Sequence, residues 1–166
     1  SDKPSLFRYT ASSPRAQAVK DSLEERIDAA GLGSSVGLRY DERGVVVSLP
    51  ESLYFRAGTA NLRTEALENL AEVARALAVQ QGEIVVEGHT DDQPVRSPLF
   101  PSNWELSAAR AARVVRYLIE EAGLDGARLS AVGLADTRPL VENSDEATRE
   151  ANRRVQLVIV TEDDGE

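Results

Sequence analysis

Apolar residues in the second quarter of the chain recur at the spacing of one helix face. Glu65 and Glu68 fall in the first turn of that helix, where the helix dipole stabilises anions. The pattern predicts an amphipathic helix from Thr64 to just before Gly82. The β-branched run EIVVEG that follows predicts a buried strand ending at His89. The recurring apolar positions of the helix are Ala66, Leu67, Leu70, Val73, Ala74, Leu77 and Ala78.

A second helical pattern follows a loop rich in proline and polar residues. Ser102 and Glu105 have the spacing of a capping box, in which each side chain satisfies the other residue's free backbone N–H. The helix that begins there should carry Arg110, Arg113 and Tyr117 on a face different from its core-facing stripe. That stripe is expected to contain Ala108, Ala111, Ala112, Val115, Leu118, Ile119 and Ala122.

The N-terminal third predicts a helix and a hairpin. Ser13 suits the N-cap, Pro14 the first helical position, and Gly31 the helix end. Two short strands should follow, Val36 to Tyr40 and Val45 to Leu49, joined by a tight turn. The helix has a partial apolar stripe formed by Ala18, Leu23, Ile27 and Ala30.

The C-terminal third predicts two more strands around a short helix. We expect strands over residues 128–132 and 155–161, with a turn over residues 134–140 between them. Asn143 and Glu146 have capping-box spacing and predict the start of the short helix. Strands alternating with helices of these lengths predict an α/β (α+β) sandwich, in which a single mixed sheet has its helices packed on one face.

Length and composition favour a single domain. With 166 residues and 42% hydrophobic content, the chain can bury one core. We expect a disordered linker over residues 1–14, an N-terminal helix and first short strand over 15–43, the main domain over 44–161, and a disordered tail over 162–166. Because the sequence starts at Ser1 and contains no Met, we expect a processed or excised fragment.

The charge balance narrows the range of ligands. A net charge of −9 repels phosphate backbones, which argues against nucleic-acid binding and favours a ligand that carries ammonium groups. Lys3 and Lys20 are the only lysines among 19 basic residues. The excess of arginine suits the recognition of carboxylates, although a high-GC codon preference explains it equally well.

The residues of this chain give little support for an enzymatic function. The string GSSVG over residues 33–37 matches a hydrolase pattern, but that pattern needs a turn from strand to helix, and the predicted order here is helix, loop, strand. His89 is the only histidine and lacks nearby partners for a metal site, so we expect it to hydrogen-bond locally. Asp91 and Asp92 are neighbours at a strand end and should point apart, unlike a glycosidase pair. We therefore expect no catalytic residue, metal or cofactor.

One pair of opposite charges does suggest binding. Asp91 follows a buried strand, and Arg110 lies in the second turn of the next helix, so both should open on one edge of the sheet. With the backbone N–H groups near Asn103, that edge would suit a ligand carrying an ammonium and a carboxylate. The alternative is an internal ion pair between Asp91 and Arg110 that ties loop to helix.

Six blocks of sequence, taken in order, resemble the OmpA-like peptidoglycan-anchoring domain over roughly residues 44–160. Within that family, the long loop over residues 91–107 with its Trp104 is similar to MotB-type stator B subunits of the flagellar motor, as is a helix over residues 15–30 ahead of the domain. The blocks are FRAGTANLRTEALENLAEVARAL (55–77), EGHTDD (87–92), NWELSAARAARVVRYL (103–118), RLSAVG (128–133), RPL (138–140) and NRRVQLVI (152–159).

The resemblance implies a ligand and a set of contacts. The family's ligand is the peptidoglycan stem peptide, bound through diaminopimelate, whose side chain ends in an ammonium and a carboxylate. Asp91 would hold the ammonium and Arg110 would grip the carboxylate. Motif positions that line or border the pocket match Thr90, Asn103, Leu106, Asn152 and Arg153. Arg113 and Arg154 are expected to be solvated or tied into local carboxylate pairs.

The resemblance also implies an anchoring role. It suggests the periplasmic domain of an inner-membrane protein that binds peptidoglycan without catalysis, forms a homodimer, and joins a stator A subunit through a membrane helix outside this sequence. The alternative is a general envelope anchor, such as a lipoprotein or secretion-system component, with the same pocket. A wall-cleaving hydrolase is a minor alternative.

Overall fold

Five strands form one mixed sheet in the order β1-β2-β5-β3-β4. β3 and β4 pair in parallel, and the other neighbours pair antiparallel. The computed structural model describes residues 13–161, so the linker and tail predicted at the two ends lie almost entirely outside the described residues. The strands are β1 (Gly37–Asp41), β2 (Gly44–Pro50), β3 (Ile84–His89), β4 (Leu129–Gly133) and β5 (Arg154–Val160).

One helix precedes the first strand, and the others lie in the connections after β2. The helices are α1 (Pro14–Ala29), α2 (Glu51–Tyr54), α3 (Ala66–Ala78), α4 (Asn103–Glu120) and α5 (Glu146–Asn152), and a 3-10 turn (Gly126–Arg128) precedes β4. The single mixed sheet and the predicted hairpin are confirmed, and the strand limits differ from the predicted ones by a residue or two at most. No helix over residues 13–161 is long and apolar enough to span a membrane.

The register of the central strand β5 defines one edge of the sheet. Arg154 at the start of β5 lies opposite Pro50 at the end of β2 and opposite His89 at the end of β3. The residues just beyond these strand ends therefore meet, although they are distant in sequence. Glu51, Arg153 and Thr90 stand at that edge.

The hydrophobic core fills one face of the sheet. Alternate residues of β2, β3 and β5 point into it, and α1, α3 and α4 cover it. Burying each such Leu or Ile side chain is worth about 1.5 to 3 kcal/mol relative to leaving it exposed. The strand residues in the core include Val45, Val47, Leu49, Ile84, Val86, Val155, Leu157 and Ile159. α1 packs into this same core, and β1 belongs to the same sheet.

The N-cap residue agrees with the sequence at two of three helix starts, although Ser102 accepts from the Trp104 N–H and not from the Glu105 N–H that the predicted box requires. Ser13 caps α1 by accepting from the Ala16 N–H at 3.2 Å, and Pro14 is the first helical residue. Ser102 caps α4 by accepting from the Trp104 N–H. The box predicted at Asn143 and Glu146 is wrong, because Asp145 is the N-cap and Thr148 completes the reciprocal pair. A threonine hydroxyl fills the role that was assigned to a glutamate.

The buried face of α4 differs from the predicted stripe. Ala108 and Ala112 are exposed, and Ile119 is 39% exposed. Polar residues can occupy the core-facing side because their tips find partners; the Tyr117 hydroxyl, for example, donates to the Leu67 carbonyl at 3.1 Å. The buried residues are Leu106, Ser107, Arg110, Ala111, Val114, Tyr117 and Leu118.

A smaller shift affects α1, where Ala18 is exposed and Ala30 only half-buried. Its buried residues are Ala16, Val19, Leu23 and Ile27.

Two glycines bring α4 against the parallel strands. A Cβ at Gly133 would lie 2.5 Å from the Ala108 nitrogen and 2.7 Å from its Cα, and a Cβ at Gly88 would collide with the Ser107 backbone. Only residues without a side chain allow this approach. The contact sets the position of the first turns of α4 relative to the end of β3.

We expect Gly133→Ala to lower the free energy of unfolding by about 1 to 3 kcal/mol, as overpacking of backbone against backbone does. Gly33→Ala is the matched control, because a Cβ there meets only Asp28 at 3.6 Å. Urea unfolding of both variants measures the difference. Equal midpoints for the two would contradict the packing assignment.

Candidate functional site

A cleft of about 350 Å³ opens at the sheet edge where β2, β5 and β3 end or begin. Five of the seven predicted site residues line it. They are Thr90, Asp91, Asn103, Leu106 and Arg153. Glu51, Ala57, Gly58 and residues 93–96 complete the wall.

Asp91 is held at the cleft by its own loop. Its Oδ1 accepts from the Gln93 N–H at 2.9 Å, which is the geometry of an Asx turn. The Thr90 hydroxyl donates to the Asp91 carbonyl at 2.8 Å, and the Thr90 N–H donates to the Ala135 carbonyl at 2.9 Å. Asn103, the first residue of α4, donates its side-chain N–H to the Gln93 carbonyl at 2.9 Å. The carboxylate is thereby fixed between strand end and helix start.

Arg153 connects three carboxylates at the cleft. Its guanidinium contacts Asp91 at 2.7 Å, Glu51 at 3.2 Å and Glu146 at 2.6 Å. Burial alone lowers the pKa of Arg153, but the hydrogen bonds to Glu146 and Asp91 and the charge of Glu51 outweigh it and raise the pKa. Arg153 therefore stays charged at the cleft, whose lining also includes Arg96.

Arg110 lies beneath the cleft and is not part of its lining. It is 3% exposed and stacks over the Phe55 ring, with 5.1 Å from Cζ to the ring centroid. Its Nε donates to the Thr59 carbonyl at 2.7 Å, a second nitrogen reaches the Arg56 carbonyl at 3.4 Å, and Nη1 pairs with Glu51. These contacts support the loop over residues 56–59 that forms one wall.

Asp91 and Arg110 do not pair with each other in this structure. They are the two ends of a chain of ion pairs that runs from Asp91 to Arg153, from Arg153 to Glu51, and from Glu51 to Arg110. Both residues do belong to the sheet edge that the sequence predicted. The internal ion pair considered as an alternative is replaced by this four-membered network.

Asn152 has a structural position behind the cleft. It is fully buried, its Oδ1 accepts from the Leu140 and Val141 N–H groups, and its side-chain amide donates to the Val141 carbonyl and to Asn143. It therefore fixes the loop over residues 140–143. It does not line the cleft with the other predicted residues.

Glu51 is the site residue that sequence reasoning missed. It begins the one-turn helix α2 directly after β2, and its carboxylate bridges Arg110 and Arg153. No local motif marks it. Glu51 could be recognised as a site residue only if β2 were known to lie beside β5, because Arg153 directly precedes β5. That strand order comes from long-range pairing.

His89 and Asp92, which the sequence analysis considered for metal binding or catalysis, make contacts with nearby side chains. The His89 ring contacts Glu87 at 3.2 Å, which confirms its predicted local hydrogen bond. Asp92 pairs with Arg149 at 3.2 Å while Asp91 pairs with Arg153, so the two carboxylates diverge as expected. Over residues 13–161 no three His, Cys, Asp or Glu side chains are placed to hold a metal ion.

The prediction for Arg154 is wrong. It is buried, at 4% exposure, and its guanidinium bonds to the Gln156 side chain and to the carbonyls of Asn152 and Arg138. No carboxylate of the described residues lies within 4 Å of it. Its position in the antiparallel pairing with β3 places it on the side of the sheet away from the core.

The fold and the edge cleft together match a known family. The OmpA family's sequence model matches residues 54–153, which is more than half of the chain, and the chain belongs to that family. The match includes Asp91, Arg110 and Asn152. The resemblance inferred from the ordered blocks is confirmed.

Two relatives of this chain come from Bacillus subtilis, and one of them has a motility name. Motility protein B of Bacillus subtilis is 31% identical over 143 residues, which are 86% of this chain and 55% of that protein. The uncharacterized protein YtxE of the same organism is 41% identical over 128 residues, 77% of this chain and 53% of that protein. The chain thus spans about half the length of these curated relatives.

Solved structures agree with the fold. A putative MotB-like protein from Desulfovibrio vulgaris superposes with a TM-score of 0.80 at 28% identity, over 89% of this chain and 97% of that one. The cell wall anchor of a type VI secretion system from Pseudomonas aeruginosa gives a TM-score of 0.76 at 31% identity, over 84% of this chain and 97% of that one.

His89 should make the free energy of unfolding depend on pH. Burial lowers its pKa, the Glu87 hydrogen bond partly opposes this, and the charge of Arg154 adds to the lowering. In the unfolded chain the pKa of His89 is near 6.5. As pH falls through 6.5, the unfolded chain takes up a proton before the folded chain does. The folded state therefore loses stability below this pH. We expect the free energy of unfolding to fall by at most about 1.4 kcal/mol per pH unit, the limit for one proton.

Urea unfolding at pH 7.5 and pH 5.5 measures this loss. His89 is the chain's only histidine, so His89→Gln should flatten the dependence in that interval. An unchanged slope in the variant would refute the assignment.

Proposed function

We propose that this domain binds peptidoglycan without catalysis and anchors a flagellar stator unit to the cell wall. The observation that carries the proposal is the edge cleft, in which Asp91 and Arg153 present opposite fixed charges, with Glu51 in the wall beside them and Arg110 directly behind. Such a site suits a ligand with an ammonium and a carboxylate at a fixed separation. The diaminopimelate of the stem peptide has these two groups.

Each end of the ligand has a proposed partner. Asp91 accepts from the ammonium, since its Oδ2 already accepts from a cation in the form of Arg153. The ligand carboxylate is bound by guanidinium groups, Arg153 at the surface and Arg110 below. Thr90 and Asn103 hold the Asp91 loop in place, and Leu106 supplies an apolar part of the lining.

Glu51 connects the two arginines in the proposed mechanism. Its side chain is 19% exposed, whereas that of Arg110 is 4% exposed, so Glu51 stands between the cleft and Arg110. We propose that the ligand carboxylate takes the place of Glu51 on Arg110. The exchange replaces one charged hydrogen bond with another, so the ligand need not leave a buried guanidinium unpaired.

Relatives support both the anchoring role and its main alternative. Peptidoglycan-associated lipoprotein of Pseudomonas putida is 33% identical over 106 residues. Motility protein B covers more of this chain, 86% against 64%. That difference favours a stator role. The proposed protein is an inner-membrane protein whose periplasmic domain forms a homodimer, and its partner is a stator A subunit. The likeness to a secretion-system cell wall anchor favours the alternative of a general envelope anchor.

Asp91→Asn should lose most of its binding to purified peptidoglycan sacculi. Asparagine keeps the oxygen that accepts from Gln93 but loses the negative charge, and removing one partner of a buried charged contact costs roughly 2 to 5 kcal/mol. Co-sedimentation with sacculi measures the bound fraction. The matched control is Asp92→Asn, which removes a neighbouring carboxylate that does not line the cleft.

Equal retention of both variants would exclude Asp91 as a ligand contact. The same supernatants also test the hydrolase alternative, because a wall-cleaving enzyme releases soluble muropeptides and a binding module does not. The sequence upstream of Ser1 would separate the stator from the general anchor: a membrane helix carrying an aspartate favours the stator.

Arg110→Lys should weaken sacculus binding by tenfold or more, an effect of about 1.4 kcal/mol. Lysine keeps the positive charge but loses the planar fork that grips a carboxylate at two points. Arg113→Lys, on the same helix and away from the cleft, is the control. Thermal unfolding is measured alongside, because Arg110 also supports residues 56–59. A folded Arg110→Lys protein with unchanged retention would contradict the role of the fork.

A further inference from the structure

A second cleft, of about 400 Å³, lies on the face of the sheet opposite the hydrophobic core. It shares no lining residue with the edge cleft. Strands β1, β3 and β5 form its floor, and residues 134 and 138–140 form one side. Its charged lining residues are Arg39, Asp41, Glu42, Arg43, Glu87, Arg138 and Arg154. None of these residues belongs to the proposed peptidoglycan site.

Two of the three carboxylates that line this cleft, Asp41 and Glu87, are already neutralised by Arg43, and Glu42 is the third. Arg43 pairs with Asp41 at 2.7 Å and also pairs with Glu87. Burial raises the pKa of Glu87, but hydrogen bonds from His89 and Arg43 outweigh it and hold the pKa at about 2. Glu87 is therefore charged and fully engaged. It is not free to balance a further cation.

Three arginines of the cleft have no carboxylate partner among the described residues. Arg39 and Arg154 both donate to one neutral acceptor, the Gln156 side-chain oxygen, each at 2.6 Å. Arg138 bonds only to Thr137 through its guanidinium. Burial and the nearby charge of Arg39 lower the pKa of Arg154 to about 10. The lining thus has four arginines against three carboxylates, a local excess of positive charge in a chain of net charge −9.

Unsatisfied polar atoms occur at the same place. Over residues 13–161, three buried side-chain nitrogens lack a hydrogen-bond partner, and two of them are Arg39 Nε and His89 Nδ1. Both residues line this cleft. Because His89 Nε2 faces the Glu87 carboxylate, the ring proton belongs on Nε2, which leaves Nδ1 as an acceptor. The cleft therefore offers guanidinium donors beside one unused acceptor.

We propose that this cleft binds an oxyanion, a phosphate group in particular, through Arg39, Arg138 and Arg154. Planar guanidinium groups match the geometry of phosphate oxygens. A phosphate that retains one proton accepts from the arginines and donates to His89 Nδ1. A carboxylate has no such proton, so phosphate is preferred over carboxylate.

Two-dimensional NMR of the whole chain, titrated with inorganic phosphate at constant ionic strength, tests the proposal. The expected result is shifts of backbone amides around Arg39, Arg138 and Gln156, with weaker shifts from acetate at equal concentration. Arg39→Gln and Arg138→Gln should each weaken phosphate binding by about tenfold, the effect of losing one charged hydrogen bond. These two residues are less buried than Arg154, so the variants should fold.

Arg116→Gln is the matched control, since Arg116 is an exposed arginine of α4 paired with Glu120 and far from the cleft. It should bind phosphate like the unmodified chain. Phosphate shifts that avoid the cleft, or that are equally strong in all three variants, would overturn the proposal. Acetate binding as tightly as phosphate would overturn the role of His89.

Discussion

The antiparallel pairing of β5 between β2 and β3 is the constraint on which the rest of the structure depends. β5 is the last strand in the chain, yet it occupies the middle of the sheet. Its register places Arg154 opposite Pro50 and His89, and the residues beyond these positions supply the charges of the edge cleft. Segments far apart in the chain, such as those that carry Glu51 and Arg153, thus contribute to one site, which cannot form before the final strand is in place.

Local patterns were enough to predict much of this arrangement. Helical periodicity and capping residues located α3 and the start of α4, and β-branched runs located the strands, because these signals depend on near neighbours. Asp91 and Asn103 were found in the same way, since a strand end and a helix start are local features. The mixed sheet with helices on one face then followed from the alternation of elements.

Features that depend on tertiary partners were not predictable in this way. Arg110 was placed on a face of α4 different from the core-facing stripe, but it is buried because Glu51 and two carbonyls satisfy its guanidinium. Glu51 itself carries no motif. The cap at Asp145 was missed because a threonine hydroxyl can replace the expected glutamate. Arg110 and Glu51 depend on partners in distant segments of the chain. The cap at Asp145 depends on a threonine side chain that can form hydrogen bonds in several ways.

The position of Asp91 has a mechanical consequence for the proposed anchor. Asp91 follows β3, which is hydrogen-bonded to β5 on one side and to β4 on the other. Ladder hydrogen bonds lie across the strand direction, so a pull on the ligand that runs along β3 loads both ladders together instead of opening one bond at a time. The close seat of α4 at Gly88 and Gly133 couples the helix to the same strand. Tension at the cleft is therefore carried by the interior of the sheet in shear, and not by an edge that could peel.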